Sequence, residues 1–307
     1  MNYVESLKRR AEQAGNIVCV GLDPVLDKIP SSGCKEFEDK LKEPCKAIEK
    51  FYCDLLDAFA AEGVVPAIVK PNIAFYEQYG FSGLNALNSI MIKCRELKIP
   101  VILDGKRGDI GTTSKAYAKA MFEFWKADAI TVAPYMGSDS VGPFLEYCGG
   151  AEGAHTTNSS ENASACNGKG VYVLVRTSNK GAVDMQNLKV GADSIPLYMK
   201  TAEKLVEWHK PGIGAVVGAT YPGELEEISR FFVNSGKQVP FLIPGVGAQG
   251  GSAQDVVSVL KRSGNDLSIN RINSSSGINF AYLQKGSADY CKSAVEALKE
   301  LIEEINF

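Results

Sequence analysis

A chain of 307 residues exceeds the roughly 100–200 residues of a common domain yet falls within the size of one α/β barrel. Its 45% hydrophobic and 22% charged residues can bury a sizeable core, and a formal charge of −3 removes the basic footprint of a general nucleic-acid binder. Eight cysteines without a CxxC pair and only two histidines, His155 and His209, argue against a zinc site and against a Ser-His-Asp or Cys-His hydrolase.

The N-terminal segment, MNYVESLKRRAEQAGN, is charged where a signal peptide needs an apolar stretch, and no apolar run approaches about 18 residues. A cytoplasmic protein with no membrane partner is the expectation. Beyond an N-terminal helix, short β-branched runs recur at Ile17–Leu22, Val64–Val69, Ile99–Leu103, Ala129–Val132, Val171–Val175, Ala215–Val217, Phe241–Ile243 and Leu267–Ile272. Amphipathic segments separate them. Leu41–Phe59, Leu84–Leu97, Thr113–Trp125, Ser194–Trp208, Glu224–Phe232, Ala253–Arg262 and Ala288–Ile305 all suit helices. Eight buried runs joined by crossover helices predict an α/β fold, a single (β/α)8 TIM barrel spanning residues 1–307 as one domain. The Gly-, Ser- and Asn-rich stretch near residues 149–170 lacks a periodic apolar face and reads as a surface insertion, with a lid as the sharper alternative. Its Asn158 and Asn162 glycosylation patterns are taken as chance matches.

In a barrel of this kind, functional groups gather after the C-terminal ends of the strands. The polar strand ends fall there: Asp23, Lys70-Pro71-Asn72, Asp104-Gly105-Lys106, Pro134-Tyr135, Arg176-Thr177-Ser178-Asn179 and Pro244-Gly245-Val246-Gly247-Ala248-Gln249. The densest is Asp104-Gly105-Lys106-Arg107-Gly108-Asp109, four charges in six residues between a strand and a helix. Convergence with Lys70 would alternate two ammonium groups with two carboxylates, an array costly to desolvate without a functional reason. A surface ion-pair network is the alternative that spacing alone leaves open.

These motifs, in order, resemble the orotidine 5′-phosphate decarboxylase family, in its longer subgroup found in bacteria and some protozoa. They are Val20-Gly21-Leu22-Asp23-Pro24, Lys70-Pro71-Asn72, Asp104 through Ile110, and Pro244 through Gly251. The resemblance implies decarboxylation of orotidine 5′-monophosphate to UMP, the final step of UMP biosynthesis, with no organic cofactor and no metal. It implies a catalytic array of Lys70, Asp104, Lys106 and Asp109, in which Lys106 stabilises the C6 carbanion and delivers a proton to it. It further implies a homodimer in which Asp109 and Thr113 complete the neighbouring site. Asp23, Lys70 and Asn72 would bind the ribose, and Ser178, or Thr177 or Asn179 in its place, the pyrimidine. Pro244 and Gln249 would line the edge leading to the phosphate, and Ile110, Ser276 and Gly277 complete the expected substrate contacts.

One departure stands out. In Ile272-Asn273-Ser274-Ser275-Ser276-Gly277, Ser276 occupies the position where the resemblance implies an arginine for the phosphate. Backbone N–H groups of Gly245–Gly251 could bind that phosphate, and Arg271 or another cation could reach it from elsewhere. Two other functions compete: a metal-dependent sugar-phosphate decarboxylase or synthase on the same scaffold, and a non-catalytic uridine-nucleotide-binding barrel.

Overall fold

The computed structural model describes residues 1–30, 43–149, 168–247 and 250–307. Eight parallel strands form one sheet: β1 (Val18–Leu22), β2 (Ile68–Pro71), β3 (Ile102–Arg107), β4 (Ala129–Val132), β5 (Gly170–Arg176), β8 (Ile213–Val217), β9 (Phe241–Ile243) and β10 (Arg271–Ser274). The intervening β6 (Lys189–Val190) and β7 (Ile195–Pro196) make a separate antiparallel hairpin. The sheet order is β2-β1-β10-β9-β8-β5-β4-β3, and parallel bridges from Val69 to Val101 and from Asn72 to Asp104 join β2 to β3. The sheet therefore closes on itself as the (β/α)8 barrel that the alternation predicts.

Two apolar layers hold it. Helices on the outside bury their inner faces against the strands. Pro44–Ala61, for example, carries Ile48, Phe51, Tyr52, Leu55, Leu56 and Phe59 inward at helical spacing. Full burial of side chains of this size stabilises by about 1.5–3 kcal/mol each. Inside the barrel a second cluster joins Cys19, Ile68, Ile102, Ala129, Tyr172, Val216 and Leu242 to Tyr3 and Leu7 of the N-terminal helix Tyr3–Ala14. That helix starts with a reciprocal cap, Asn2 accepting from the Glu5 amide at 3.0 Å and Glu5 accepting from the Asn2 amide at 2.9 Å. It closes the bottom of the barrel. Gly170 is required for this closure, because a Cβ there would lie 2.4 Å from the Tyr3 ring.

Several boundaries differ from the sequence reading for identifiable reasons. Leu267–Ile269 is a 3-10 turn rather than the start of the eighth strand. Asp266 accepts from the Ser268 amide at 3.0 Å, while Asn270 donates to the Asp266 carbonyl at 2.8 Å and accepts from the Phe241 amide at 2.8 Å. These local side-chain bonds outcompete a strand ladder. The second strand lies later than Val64–Val69, and the third runs on through Asp104 and Lys106. The helix expected over Thr113–Trp125 is Gly111–Lys119 followed by a π turn, Ala120–Phe124. Ser138–Leu145 is an additional helix whose Gly142 and Pro143 mask its periodicity. Residues 150–167, which hold most of the expected insertion with His155, Asn158 and Asn162, lie outside the described residues.

Candidate active site

A cavity of about 580 Å³ opens at the C-terminal ends of the strands. Its floor is set by an irregularity in β3. The pairing of β3 with β4 shifts register between Leu103 and Arg107, and Lys106 adopts φ 44°, a left-handed conformation unusual for a lysine. Asp104 and Lys106 both line the cavity. The Lys106 ammonium lies 2.8 and 3.0 Å from the two Asp104 carboxylate oxygens, and Lys70, from the end of β2, reaches the same carboxylate at 3.2 Å. Thr131, on β4, donates to Asp104 at 2.7 Å and accepts from the Lys106 amide at 2.9 Å. One carboxylate thus receives two ammonium groups and a hydroxyl.

Burial decides the electrostatics. Lys70 is 5% exposed and Asp104 6%, whereas the Lys106 side chain keeps 47% of its surface. Burial alone would push the Asp104 carboxyl up, but Lys70, Lys106 and the Thr131 hydroxyl outweigh it and hold it well below the usual carboxylate range. Burial likewise opposes the charge on Lys70, and Asp23 and Asp104 override it and raise the ammonium above its ordinary value. Both groups are therefore held ionised away from water. Lys106 alone in this cluster presents a charged tip to the open cavity.

The remaining expected residues divide into four groups. Asp23, Ser178, Pro244, Ser276 and Gly277 line the same cavity, as do Thr177 and Asn179, the substitutes for Ser178. Asn72 stands beside it: its amide donates to Asp23 at 3.2 Å, and its side chain accepts from the Ala74 amide at 3.1 Å. Asp109, Ile110 and Thr113 do not line it. Asp109 accepts from the Ile110 amide at 2.8 Å, Ile110 is 55% exposed, and Thr113 is exposed in the first turn of Gly111–Lys119. Gln249 lies outside the described residues.

The loop after β5 is braced from beneath. Gln186 accepts from the Thr177 amide at 2.9 Å and donates to its hydroxyl at 2.7 Å. Arg176, fully buried at the end of β5, donates to Gln186 at 3.2 Å, pairs with Glu224, and lies 4.7 Å from the Tyr221 ring centre.

One sequence expectation about the phosphate requires correction, and a second is narrowed. Arg271 cannot reach the cavity, because it starts β10 at the opposite end of the barrel. Its guanidinium donates to the carbonyls of Leu7 at 2.6 Å, Asn270 at 2.7 Å and Ser268 at 2.9 Å. In the glycine-rich turn after β9, three of the described N–H groups are spent internally. Gly247 donates to Gly251, Gly250 to Gly247 and Gly251 to Gly245, at 2.9, 2.8 and 3.0 Å.

Sequence reasoning missed Thr131 and Lys28. Thr131 sits inside an apolar run, and only its position one residue from the strand end distinguishes it. Lys28 lies in the short 3-10 turn Leu26–Lys28, after the strand-end motif that drew attention to Asp23. With it, three lysines, Lys28, Lys70 and Lys106, line the cavity against two aspartates, Asp23 and Asp104. A chain of net charge −3 therefore has a cavity with a net cationic lining, suited to an anion. Among the described residues no group of three or more His, Cys, Asp or Glu could hold a metal ion, and no helix is long and apolar enough to cross a membrane.

The model of the "Orotidine 5'-phosphate decarboxylase / HUMPS family" matches residues 16–287. The chain belongs to this family. Among its relatives, the orotidine 5′-phosphate decarboxylase of Clostridium perfringens strain SM101 is 39% identical, the alignment covering 97% of this chain and 95% of the relative. That of Rhodopirellula baltica is 37% identical, over 92% and 89%. The solved OMP decarboxylase of Leishmania donovani is 32% identical with a TM-score of 0.71, covering 100% of this chain and 98% of that one. The UMP synthase of the same organism is 34% identical with a TM-score of 0.73, and this chain spans 56% of its length.

Proposed function

We propose that this chain decarboxylates orotidine 5′-monophosphate to UMP and CO2, the closing step of UMP biosynthesis. The observation that carries the reading is the Lys70–Asp104–Lys106 array, with Lys106 alone projecting into an anion-suited cavity. In the reaction the bond from C6 to the carboxylate breaks, CO2 leaves, and the electron pair stays on C6. The Lys106 ammonium stabilises that charge as it develops and then donates a proton to C6. Asp104, ionised and shared with Lys70, keeps Lys106 charged and aimed, and its geometry needs no reorganisation as the charge appears. Asp23 and Asn72 hold the ribose, while Ser178 and Pro244 flank the base.

The active species in this reading is a homodimer. The half-buried Asp109 and the exposed Thr113 stay out of their own cavity, on either side of the exposed Ile110 in the chain, which suits groups that complete a second copy's site.

Turnover of orotidine 5′-monophosphate by the purified chain, with and without chelator, tests the activity. Chelator-resistant formation of UMP is expected. A folded protein that binds UMP but releases no CO2 would instead identify a nucleotide-binding barrel, and loss of activity on chelation a metal-dependent enzyme. Mixing a Lys106→Ala chain with an Asp109→Ala chain tests the sharing of sites. Mixed dimers regain one intact site, so activity should recover to about a quarter of the wild-type level for random pairing. Mixing without recovery counts against shared sites.

A further inference from the structure

Orotidine 5′-monophosphate carries a 5′-phosphate in addition to the carboxylate it loses, and the cation for that phosphate must come from the cavity wall. Of the three lining ammonium groups, Lys70 and Lys106 both lie within 3.2 Å of Asp104 carboxylate oxygens. Lys28 makes no such pair among the described residues. It lines the same cavity as Ser275, Ser276, Gly277 and Phe280, and its ammonium sits 5.5 Å from the Phe280 ring centre. Resting over an aromatic face leaves its N–H groups free to turn to an anion. Arg271 and the N–H groups of Gly247, Gly250 and Gly251 are engaged elsewhere, as described above.

The surrounding structure fixes where Lys28 stands. β1 pairs with β10 through Val20 and Ser274, so the turn carrying Lys28 and the serine-rich loop leave adjacent strands. Asn279 donates to the Gly21 carbonyl at 2.7 Å, and the Tyr282 hydroxyl donates to the Lys28 carbonyl. Gly21 permits this closeness, because a Cβ there would lie 1.8 Å from the Ser275 hydroxyl. The turn and the loop are therefore tied together, with Ser276 and Lys28 facing one space.

We infer that Lys28 supplies the cation for the substrate's phosphate, doing from the β1 side what Ser276 cannot do from the β10 side. The neutral serine hydroxyls and the Gly277 region add hydrogen-bonding capacity around that charge. This assignment rests on the decarboxylase reading for the identity of the substrate. It names the residue that converts phosphate binding into lowered barrier at the far end of the cavity.

The test compares orotidine 5′-monophosphate with orotidine, which lacks the phosphate. Lys28→Ala should lower the ratio of their kcat/KM values by about tenfold to a hundredfold. Lys28→Arg should keep most of the ratio, and adding Ser276→Arg to Lys28→Ala should restore it. An unchanged ratio in Lys28→Ala overturns the inference, as does an equal loss on both substrates. Calorimetry with UMP and uridine separates this from the activity itself. If the wild type binds UMP more tightly than uridine and Lys28→Ala removes the difference, Lys28 stands even where no CO2 is released. If the wild type turns over the nucleotide and Lys28→Ala keeps the full UMP preference, Lys28 alone falls.

Discussion

The two ends of the barrel each bury a cation, and they treat it in opposite ways. At the bottom, Arg271 has no carboxylate partner among the described residues: its guanidinium donates to three backbone carbonyls near the Tyr3–Tyr172 pair, whose hydroxyls lie 3.2 Å apart. Burial dominates there, and it lowers the affinity of the guanidinium for its proton. At the top, Lys70 is buried against Asp104 and Asp23, and these carboxylates override burial and raise it. The bottom cation stitches the N-terminal helix to a strand. The top cation belongs to an alternating array with one member, Lys106, left facing the cavity. Buried charge thus meets fixed carbonyls at one end of the barrel and, at the other, a carboxylate shared with an exposed ammonium, the arrangement the proposed reaction uses.

The largest effect should come from breaking the top array at its exposed member. Lys106→Ala should lower kcat by about 10⁴-fold or more, since general-acid and charge-stabilising contributions are lost together. Thermal unfolding should move little, because this half-exposed side chain contributes little packing. Arg271→Ala should do the reverse. It leaves the carbonyls of Leu7, Ser268 and Asn270 without their donor and opens a void under the barrel, costing roughly 3 kcal/mol in urea unfolding. Activity per folded molecule should survive.

A pH series sharpens the contrast. The folded Asp104 carboxyl is depressed, so its stabilising contribution is complete above its ordinary value near 3.8 and is lost as pH falls through the depressed one. Lys70 is raised, so its contribution is complete below its ordinary value of 10.5 and is lost as pH climbs through the raised one. Urea unfolding of wild type and Asp104→Asn should therefore diverge at neutral pH and begin to converge only below about pH 4, as pH falls toward the depressed value. Parallel curves throughout the acid range would remove Asp104 from the array. The smallest effect is expected from Thr131→Val, which removes one hydroxyl donor from Asp104 while keeping the side-chain shape. A fall in kcat of about tenfold with KM nearly unchanged would mark Thr131 as a positioning residue.

The alternation of buried runs made the barrel legible, because parallel strands covered on both faces are apolar throughout and must be joined by crossovers. Asp104 and Lys106 were legible for a related reason: charges immediately after an apolar run have no structural explanation as core. Thr131 was hidden because a β-branched residue in a strand looks like packing. Lys28 was hidden because a lysine in a turn looks like solvent-facing charge. The misplacement of Arg271 shows the converse, since its neighbour Ile272 does belong to the last strand, yet the side chain at the strand's first residue points into the end of the barrel away from the cavity.

The sequence by itself determined the alternation of elements, the order of the strand-end motifs and the residue types able to carry a carbanion reaction. Those properties follow from local periodicity and from chemistry that each residue carries with it. Only the tertiary structure decided that Lys70 and Lys106 share one carboxylate, that Gly247, Gly250 and Gly251 donate within their own turn, and that Lys28 shares a cavity with the serine-rich loop. Each of these depends on barrel closure, which brings residues from distant parts of the chain within hydrogen-bonding range and removes water from between them.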